Sequence, residues 1–447
     1  MPFSSFNFLL VLPLMILSFW ALPPRFQKVW LLVLSLFVYF AAGWKDLALL
    51  VSLVGLNWAG PAWLGATRDV TTGLIASDLC VLGWFKYRAF FATLAGWSQP
   101  MSVVIPLGIS FYIFQLIAFQ VEVRRGQVSP RTPFFDFFLY IFFFPHHQAG
   151  PIMRPHAFLI NFSRPCTFFR SRMTTGVLIF LWGLFKKVWI ADMISPLVDS
   201  QYFWFHDRDG LRGNLWLLGV LYGIQIYGDF SGYSDMAVGL GRIFGFKFDR
   251  NFHQPYLARS ASEFWSRWHI TLSQWLRDFV YLPLGGNRVS QSRMLINLML
   301  VMLLGGLWHG AGWNFLLWGG MHGSLLVLGR LMPDLPGRWV GMVRLLAFQL
   351  IVTLTWVAFR EPSVGNLINA AGRLSAWWGP ETALALVFLA ALLAFSQVEQ
   401  WLEMHFVLLI HRLDKAPFPL LALAYGCLLF IAFIGAGSAT TFIYQRF

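Results

Sequence analysis

Charge is scarce in this chain. Only 12% of its 447 residues are charged, whereas 57% are hydrophobic and the mean hydropathy is +0.62. A typical soluble domain carries about 25% charged residues. The composition argues against the roughly two or three soluble domains that the length alone would suggest. It predicts instead one polytopic membrane protein, in which each spanning helix needs about 20 apolar residues.

Cysteine and several familiar motifs are also lacking. The only cysteines are Cys80, Cys166 and Cys427, and their spacing fits neither a metal site nor a disulfide framework. There is no glycine-rich phosphate loop after a strand, no G-x-S-x-G elbow and no kinase or ATPase signature. Because no Lys or Arg precedes Arg25, we expect no cleavable signal peptide.

Long apolar stretches are abundant, and Pro or Gly interrupts several of them. Such breaks survive at membrane depth only where protein covers them or where they line a cavity, so we expect some segments to be re-entrant. Pro106 and Gly108 break one of these stretches. The predicted spans lie near residues 7–22, 29–44, 47–65, 71–92, 101–121, 134–150, 174–196, 214–240, 294–308, 312–331, 340–359, 382–400 and 418–436.

Basic residues give the chain a formal net charge of +13. They concentrate in 154–187 and 242–293, and the first of them, Arg25 and Lys28, follow the first span. The positive-inside rule places both clusters on the cytoplasmic side, beside anionic lipid, and the N-terminus outside the cytoplasm. We therefore expect membrane lipid and an anionic substrate such as a nucleotide-bearing thioester as partners, and no nucleic acid.

The segment 242–293 is the longest polar-rich stretch. Ser262 is a candidate cap for a helix that begins at Glu263 and ends before Pro283. Its aromatic face suits a membrane interface or a re-entrant position. The residues that recur on that face are Phe264, Trp268, Leu272, Trp275 and Phe279.

His309 stands out in the apolar segment 303–323, "LLGGLWHGAGWNFLLWGGMHG". An imidazole with a pKa near 6.5 can act as a general base, and flanking glycines allow a ligand to approach closely. The alternative is a core histidine with glycines that pack helix against helix. His322 falls beyond the turn, on the following helix, where we predict a structural or supporting role.

Other polar residues leave similar alternatives open. His269, beside Arg267, either lines the way to a catalytic site or is an interfacial histidine without a role. Asp229 and Ser231, in "YGDFSGYSD", either do acid–base work or form a polar knot that fixes helix packing, with Arg267 or Arg242 as partner. His309 and His322 lack the i, i+4 spacing of a helical metal site, so we predict no metal.

Several long motifs resemble the membrane-bound O-acyltransferases (MBOAT), and within them the bacterial polysaccharide O-acetyltransferases typified by the alginate O-acetyltransferase membrane subunit. His146 and His147, and Arg446 near the C-terminus, depart from the familiar pattern. The motifs are "PLGISFYIFQLIAFQVEVRRG" (106–126), "AGPIMRP" (149–155), "DFSGYSDMAVGLGRIFGF" (229–246), "NFHQPYLARSASEFWSRWHITLSQWLRDFVYLPLGGNR" (251–288), "LGGLWHGAGWNFLLWGGMHG" (304–323) and the closing "FIYQRF".

The resemblance implies an all-α polytopic membrane fold, a ring of about 11–13 transmembrane and re-entrant helices around a central chamber, each of about 20 residues. It implies one integral-membrane domain over 1–447, with His309 and His269 as the catalytic positions. It further implies substrate-binding or supporting roles for six other residues. These are Arg267, Trp308, His322, Asp229, Ser231 and Asn287.

The implied activity is an O-acyltransferase of the bacterial inner membrane. It would move an acetyl group from cytoplasmic acetyl-CoA, a substrate rather than a cofactor, to a hydroxyl acceptor for O-acetylation of an exopolysaccharide of the alginate or cellulose type. The implied partner is a periplasmic SGNH-type acetyltransferase or another acceptor subunit. Three alternatives stay open: a D-alanyl exporter of the same family, a transporter or flippase of polymer precursors, and a scaffold of an export complex.

Overall fold

A computed structural model describes residues 3–40, 43–97, 104–147, 150–162, 166–206, 214–332, 337–373 and 377–417, with isolated positions beyond. Within these ranges every regular element is helical. The α-helices are α1 Phe6–Ala21, α2 Pro24–Phe40, α3 Trp44–Leu64, α4 Arg68–Leu82, α5 Arg88–Leu94, α6 Ile109–Arg124, α7 Phe134–Phe142, α8 Phe144–His147, α9 Pro155–Phe162, α10 Arg170–Phe185, α11 Met193–His206, α12 Leu215–Ile243, α13 Ala261–Arg267, α14 Ile270–Leu276, α15 Gln291–His309, α16 Trp313–Leu331, α17 Arg338–Arg360, α18 Val364–Ala371 and α19 Pro380–Lys415. Three π-helical turns, Gly83–Tyr87, Lys186–Asp192 and Arg277–Tyr281, and one 3₁₀ turn, Pro255–Leu257, complete the elements.

The all-α polytopic membrane class is confirmed. Four of the described helices are long and apolar enough to cross a membrane: Trp44–Leu64, Gln291–His309, Arg338–Arg360 and Pro380–Leu413. The apolar α1 is shorter, and its Leu10, Leu14 and Leu17 are about two-thirds exposed along one face. A helix face of this kind suits lipid rather than water. The ring around a central chamber and the single domain stay predictions.

Most predicted spans coincide with helices. The stretches near 214–240, 294–308, 312–331 and 340–359 correspond to α12, α15, α16 and α17. Pro106 and Gly108 precede α6 instead of interrupting it, and Gly108 has a left-handed φ of 73° at the start of that helix. Most of the span 418–436, Cys427 and the closing "FIYQRF" lie outside the described residues.

The single helix predicted from Glu263 is wrong. It is divided into α13 and α14 by Trp268 and His269, and its cap is Ser260, which accepts the Glu263 N–H at 3.2 Å. The break arises because His269 adopts a left-handed φ of 43° and the Ile270 N–H donates to the Asn251 carbonyl at 2.9 Å. The aromatic spacing continues across the break, so periodicity alone does not reveal it.

The chain forms two compact units. The first takes the described residues up to Leu184 together with Tyr233–Arg250. Buried amides join three of its helices: Asn57 Nδ2 donates to Asp78 Oδ1 at 3.0 Å, and Gln120 Nε2 donates to Asn57 Oδ1 at 2.8 Å. These bonds connect α3, α4 and α6, because a buried polar group needs a partner to be tolerated.

The second unit takes Phe185–Gly232 and Asn251–Arg412. Its core is built from large aromatic side chains, among which Trp268, Trp318 and Trp356 are at most 1% exposed. The Trp268 ring lies 4.8 Å from that of Trp356 and stacks on Phe264 at 5.5 Å. Burial of such rings supplies most of the packing energy in a core of this type. Every candidate site residue identified from the sequence lies in this unit.

Candidate active site

The α15–α16 hairpin places His309 at the end of a helix. A side chain on Gly306 would overlap the Phe315 carbonyl, and one on Gly319 would overlap that of Met302, so the two backbones touch directly. Small residues permit such close approach between membrane helices. Of the glycines that flank His309, Gly306 is thus confirmed in a packing role, and its contact with α16 fixes the position of the last residue of α15.

His309 is buried among aromatic rings. Only 2% of it is exposed. Its ring meets those of Trp308, Trp318 and Phe359 at 5.0, 5.1 and 5.3 Å, in each case edge to face. Rings in this arrangement fix an imidazole and exclude water, which strengthens electrostatic interactions at the site.

His269 approaches from the break between α13 and α14. It is fully buried, and its Nδ1 lies 3.2 Å from Asn251 Oδ1. Burial lowers the pKa of His269 to about 3, because desolvation disfavours the imidazolium. A non-glycine residue at positive φ costs about 1–3 kcal/mol and persists only where the surroundings enforce it. Such strain is concentrated at functional sites in many proteins.

The two histidines form the centre of the candidate site. Their ring centroids are 6.4 Å apart, and the Trp308 ring lies 5.6 Å from that of His269 and 5.0 Å from that of His309. A direct N–H···N bond would bring the centroids to about 5 Å, whereas one hydroxyl shared by both rings would hold them slightly further apart. Two rings at this distance can bind neighbouring groups of one substrate molecule.

His322 lies on α16, as predicted, and packs against Trp318, which in turn contacts His309. Its Nε2 is 3.1 Å from Thr355 Oγ1, and that hydroxyl donates to the Val352 carbonyl at 2.7 Å. The Thr355 oxygen therefore accepts the His322 N–H. The Trp318 ring lies 4.7 Å from His322 and 5.1 Å from His309, so Trp318 connects the two histidines.

Asp229 belongs to a buried charge network. Lys187 Nζ lies 2.7 Å from Asp229 Oδ1 and 2.8 Å from Asp192 Oδ1. In the same π-helical turn, Lys186 pairs with Glu399 at 3.3 Å. The predicted partner of Asp229, Arg267 or Arg242, is wrong.

Asp229 pairs with lysine because it lies in the middle of α12, where that helix packs against the widened π turn Lys186–Asp192. Gly228, the neighbour of Asp229, packs closely against this turn. A β-carbon added to Gly228 would lie 3.1 Å from the Lys186 carbonyl oxygen. Lys186 and Lys187, which belong to the basic cluster 154–187, are buried. The cytoplasmic placement of that cluster stays a prediction. The polar knot considered for Asp229 is thus present, with lysine instead of arginine.

The other residues predicted to bind or support the substrate differ in their exposure and in their distance from His309. Arg267 pairs with Glu263 at 2.8 Å and is partly exposed. Ser231 is fully buried on α12. Asn287 is exposed and accepts the Tyr281 hydroxyl at 2.6 Å in the turn before α15. That turn is at the opposite end of the 19-residue α15 from His309, about 27 Å away at 1.5 Å per residue.

Sequence reasoning missed two important residues. Asn251, in the quoted motif "NFHQPY", holds the break at His269. Lys187 forms ion pairs with both Asp229 and Asp192. The signal for Lys187 was available, since an ionisable residue within an apolar stretch is by default a functional or pairing residue. No local signal identifies Asn251, because its contacts are with residues about 20 positions further along the chain.

Comparison with known proteins shows that this chain is similar to acyltransferases. Residues 61–335, which include His269 and His309, match the family model described as membrane-bound O-acyltransferase, MBOAT. The chain is 40% identical over 385 residues to the "Probable alginate O-acetylase AlgI" of Azotobacter vinelandii, covering 81% of this chain and 76% of that protein.

Two further relatives have different names. A peptidoglycan O-acetyltransferase of Helicobacter pylori is 36% identical over 413 residues, covering 82% of this chain and 78% of that protein. A teichoic acid D-alanyltransferase of Streptococcus thermophilus is 30% identical over 241 residues, covering 50% of this chain and 56% of that protein. The three names describe acetyl transfer to alginate, acetyl transfer to peptidoglycan and D-alanyl transfer to teichoic acid.

Proposed function

The chain belongs to the membrane-bound O-acyltransferase family and is an acyltransferase, and we propose that it moves an acetyl group from a cytoplasmic acyl-CoA thioester to a hydroxyl acceptor for O-acetylation of an exopolysaccharide. The observation that carries the proposal is the buried pair of imidazoles, His269 and His309, at 6.4 Å within aromatic walls. Family membership decides against the transporter and scaffold alternatives.

His309 is the general base in this proposal. Its imidazole takes the proton of the acceptor hydroxyl, whose oxygen attacks the thioester carbon. The tetrahedral intermediate then expels the CoA thiolate, which receives the proton from the imidazolium. The products are an acetyl ester and CoA thiol, so protons and electrons balance without a cofactor. The dry aromatic surroundings favour this step, because charge–charge and hydrogen-bond interactions strengthen when water is excluded.

His269 holds the reacting group in place. A polymer acceptor carries neighbouring hydroxyls, so that one can give its proton to His309 while another donates a hydrogen bond to His269, whose ring centroid lies 6.4 Å from that of His309. Correct placement of reactants supplies a large part of the barrier reduction in such reactions. His322, Trp308 and Trp318 maintain the orientation of the pair and do not touch the reacting atoms in this proposal.

The donor's phosphates bind at the other end of the α15–α16 hairpin. Arg288 and Arg293 are exposed there, at the start of α15, and Arg330 is exposed at the end of α16. Guanidinium groups bind phosphates through charge-assisted hydrogen bonds. If this end faces the cytoplasm, His309 lies about 27 Å further along the helix, towards the outer side of the inner membrane. The acetyl group would thus cross most of the bilayer on its carrier.

The acceptor is an exopolysaccharide of the alginate or cellulose type, reached directly or through a periplasmic SGNH-type acetyltransferase. Higher identity and coverage for the alginate and peptidoglycan O-acetylases than for the D-alanyltransferase favour acetyl over D-alanyl as the transferred group. Both alternatives share the thioester chemistry and differ only in the carrier and the acyl group.

Polymer acetylation in cells tests the proposal. His309→Ala should remove ester-linked acetate from the exported polymer while the membrane level of the protein stays normal. The matched control is His405→Ala, which removes an exposed histidine on α19. Normal acetylation in the His309→Ala strain would exclude His309 as the base. Loss of D-alanine esters, with acetate unchanged, would favour the D-alanyl alternative.

A further inference from the structure

Asn251 is buried beside His269 and bonds to three consecutive residues. Its backbone carbonyl accepts the Ile270 N–H at 2.9 Å. Its side-chain oxygen accepts the Thr271 N–H at 3.2 Å and the Thr271 hydroxyl at 2.9 Å. The same oxygen lies 3.2 Å from His269 Nδ1. Asn251 thus contacts the backbone that follows the break through both its carbonyl and its side chain, and the imidazole of His269 through its side chain.

These contacts decide the tautomer of His269. A backbone N–H can only donate, so the Asn251 atom that faces Thr271 must be the amide oxygen. An amide oxygen can only accept, so the Nδ1 of His269 must carry the hydrogen. In a neutral imidazole the other nitrogen then carries the lone pair. We assign the Nδ1–H form on this basis, with Nε2 as an acceptor.

We infer that Asn251 is a positioning residue for acyl transfer: it holds His269 in the Nδ1–H form, so that Nε2 accepts a hydrogen bond from a substrate hydroxyl next to the one that His309 deprotonates. The inference rests on the proposed function. It also excludes His269 as a hydrogen-bond donor to the oxyanion, because the only N–H of this neutral imidazole is directed at Asn251. The donors for the oxyanion must therefore be other groups.

Backbone hydrogen bonds on both sides of His269 also hold this residue in position. His269 adopts φ 43°, and its neighbours on both sides pair with the segment that carries Asn251: the Ile270 N–H with the Asn251 carbonyl, and the His253 N–H with the Arg267 carbonyl at 2.9 Å. In acyl transfer a histidine at the active site is commonly oriented by a third group. Asn251 supplies that group here without a charge.

Two substitutions of Asn251 separate orientation from mere stability. Asn251→Ala should lower kcat for acetyl transfer by about 100-fold with little change in KM, because the imidazole loses its fixed direction. Asn251→Asp keeps the shape and still accepts the Nδ1–H. Its carboxylate stabilises the imidazolium, so the acidic limb of the pH dependence of kcat should move to higher pH. The matched control is Asn214→Ala, which removes a buried asparagine bonded to Thr382 and Leu217 and should leave kcat and its pH dependence unchanged.

Nitrogen NMR of ¹⁵N-histidine-labelled protein reads the tautomer directly. The difference between the wild type and His269→Gln identifies the His269 signals. The wild type should show a protonated Nδ1 and a bare Nε2, and Asn251→Ala should show the other tautomer or a mixture. A purely structural role for Asn251 would lower stability without changing the tautomer.

The outcomes separate this inference from the proposed function. If thioester turnover requires neither His309 nor His269, the proposed function fails. If both histidines are required but the Asn251 variants keep the wild-type kcat, pH dependence and tautomer, only the inference is overturned. If Asn251→Ala does not fold, the Asn251→Asp protein and the wild-type tautomer still decide: a bare Nδ1 in the wild type contradicts the assignment.

Discussion

The ring centroids of His269 and His309 lie 6.4 Å apart, although one histidine ends a membrane helix and the other sits in a break between two short helices. Neither the α15–α16 hairpin nor the break between α13 and α14 creates this proximity alone. It depends on the glycine contacts of α15 with α16 and on the left-handed backbone at His269. The chemistry proposed for the site follows from that spacing.

The buried charge network gives a prediction about stability. Lys187→Met leaves Asp229 and Asp192 buried without their cation, which should lower the free energy of unfolding by about 3–5 kcal/mol. Removing both carboxylate charges as well, with Asp229→Asn and Asp192→Asn, should restore most of that loss. Unfolding of the purified protein in detergent measures both effects. Equal stability of the wild type and Lys187→Met would contradict the network.

Adjacent glycines on α16 provide a matched pair. Gly319→Ala places a methyl group against the Met302 carbonyl and should cost about 1–3 kcal/mol or more as the helices separate. At Gly320 the nearest atom, Leu303 Cδ2, is 3.9 Å from the new carbon, so alanine should be neutral or stabilising by about 0.5–1 kcal/mol. Acetyl transfer should fall only in the Gly319 variant. Similar behaviour of the two variants would refute the direct contact between α15 and α16.

The basic end of the hairpin should control donor affinity. Arg293→Glu should raise the KM for acetyl-CoA by about tenfold or more, because a charge-assisted hydrogen bond contributes about 1.5–3 kcal/mol. The effect should weaken at high ionic strength. Kinetics at several salt concentrations test this, with Arg373→Glu, an exposed arginine after α18, as control. An equal rise in both variants would indicate a nonspecific charge effect.

His322 should matter for stability more than for chemistry. Thr355→Val removes the oxygen that accepts the His322 N–H and should lower the free energy of unfolding by about 1–3 kcal/mol. Thr355→Ser keeps that oxygen and serves as control. Thermal unfolding and transfer kinetics are compared for the two variants. Loss of transfer in a stable Thr355→Val protein would assign His322 a direct part in the reaction.

Much of the helical organisation is predictable from the sequence, because apolar runs of about 20 residues have few alternatives in a membrane protein. The position of His309 before a glycine turn, and of His322 on the next helix, follows from "WHGAGW". The break at His269 does not, since Trp268, Leu272 and Trp275 keep a helical period across it. A left-handed backbone at a histidine is imposed by distant contacts, here from Asn251.

Pairing of buried charges is also hidden from local patterns. Asp229 and Lys187 are 2.7 Å apart only because α12 packs against the π turn Lys186–Asp192. Nothing in the spacing of "YGDFSGYSD" selects lysine over arginine as the partner. Family resemblance predicts a functional role for His269 and His309, and the folded chain shows that their rings lie close together.

Thioester turnover by the purified protein tests whether His309 is the base for acyl transfer. Wild-type and His309→Ala proteins are incubated in detergent with acetyl-CoA, with and without the periplasmic acceptor protein, and free CoA is followed. We expect the wild type to release CoA, and we expect His309→Ala to abolish this release while acetyl-CoA binding persists. Equal release by both proteins, or absence of both release and binding in the wild type, would contradict this expectation.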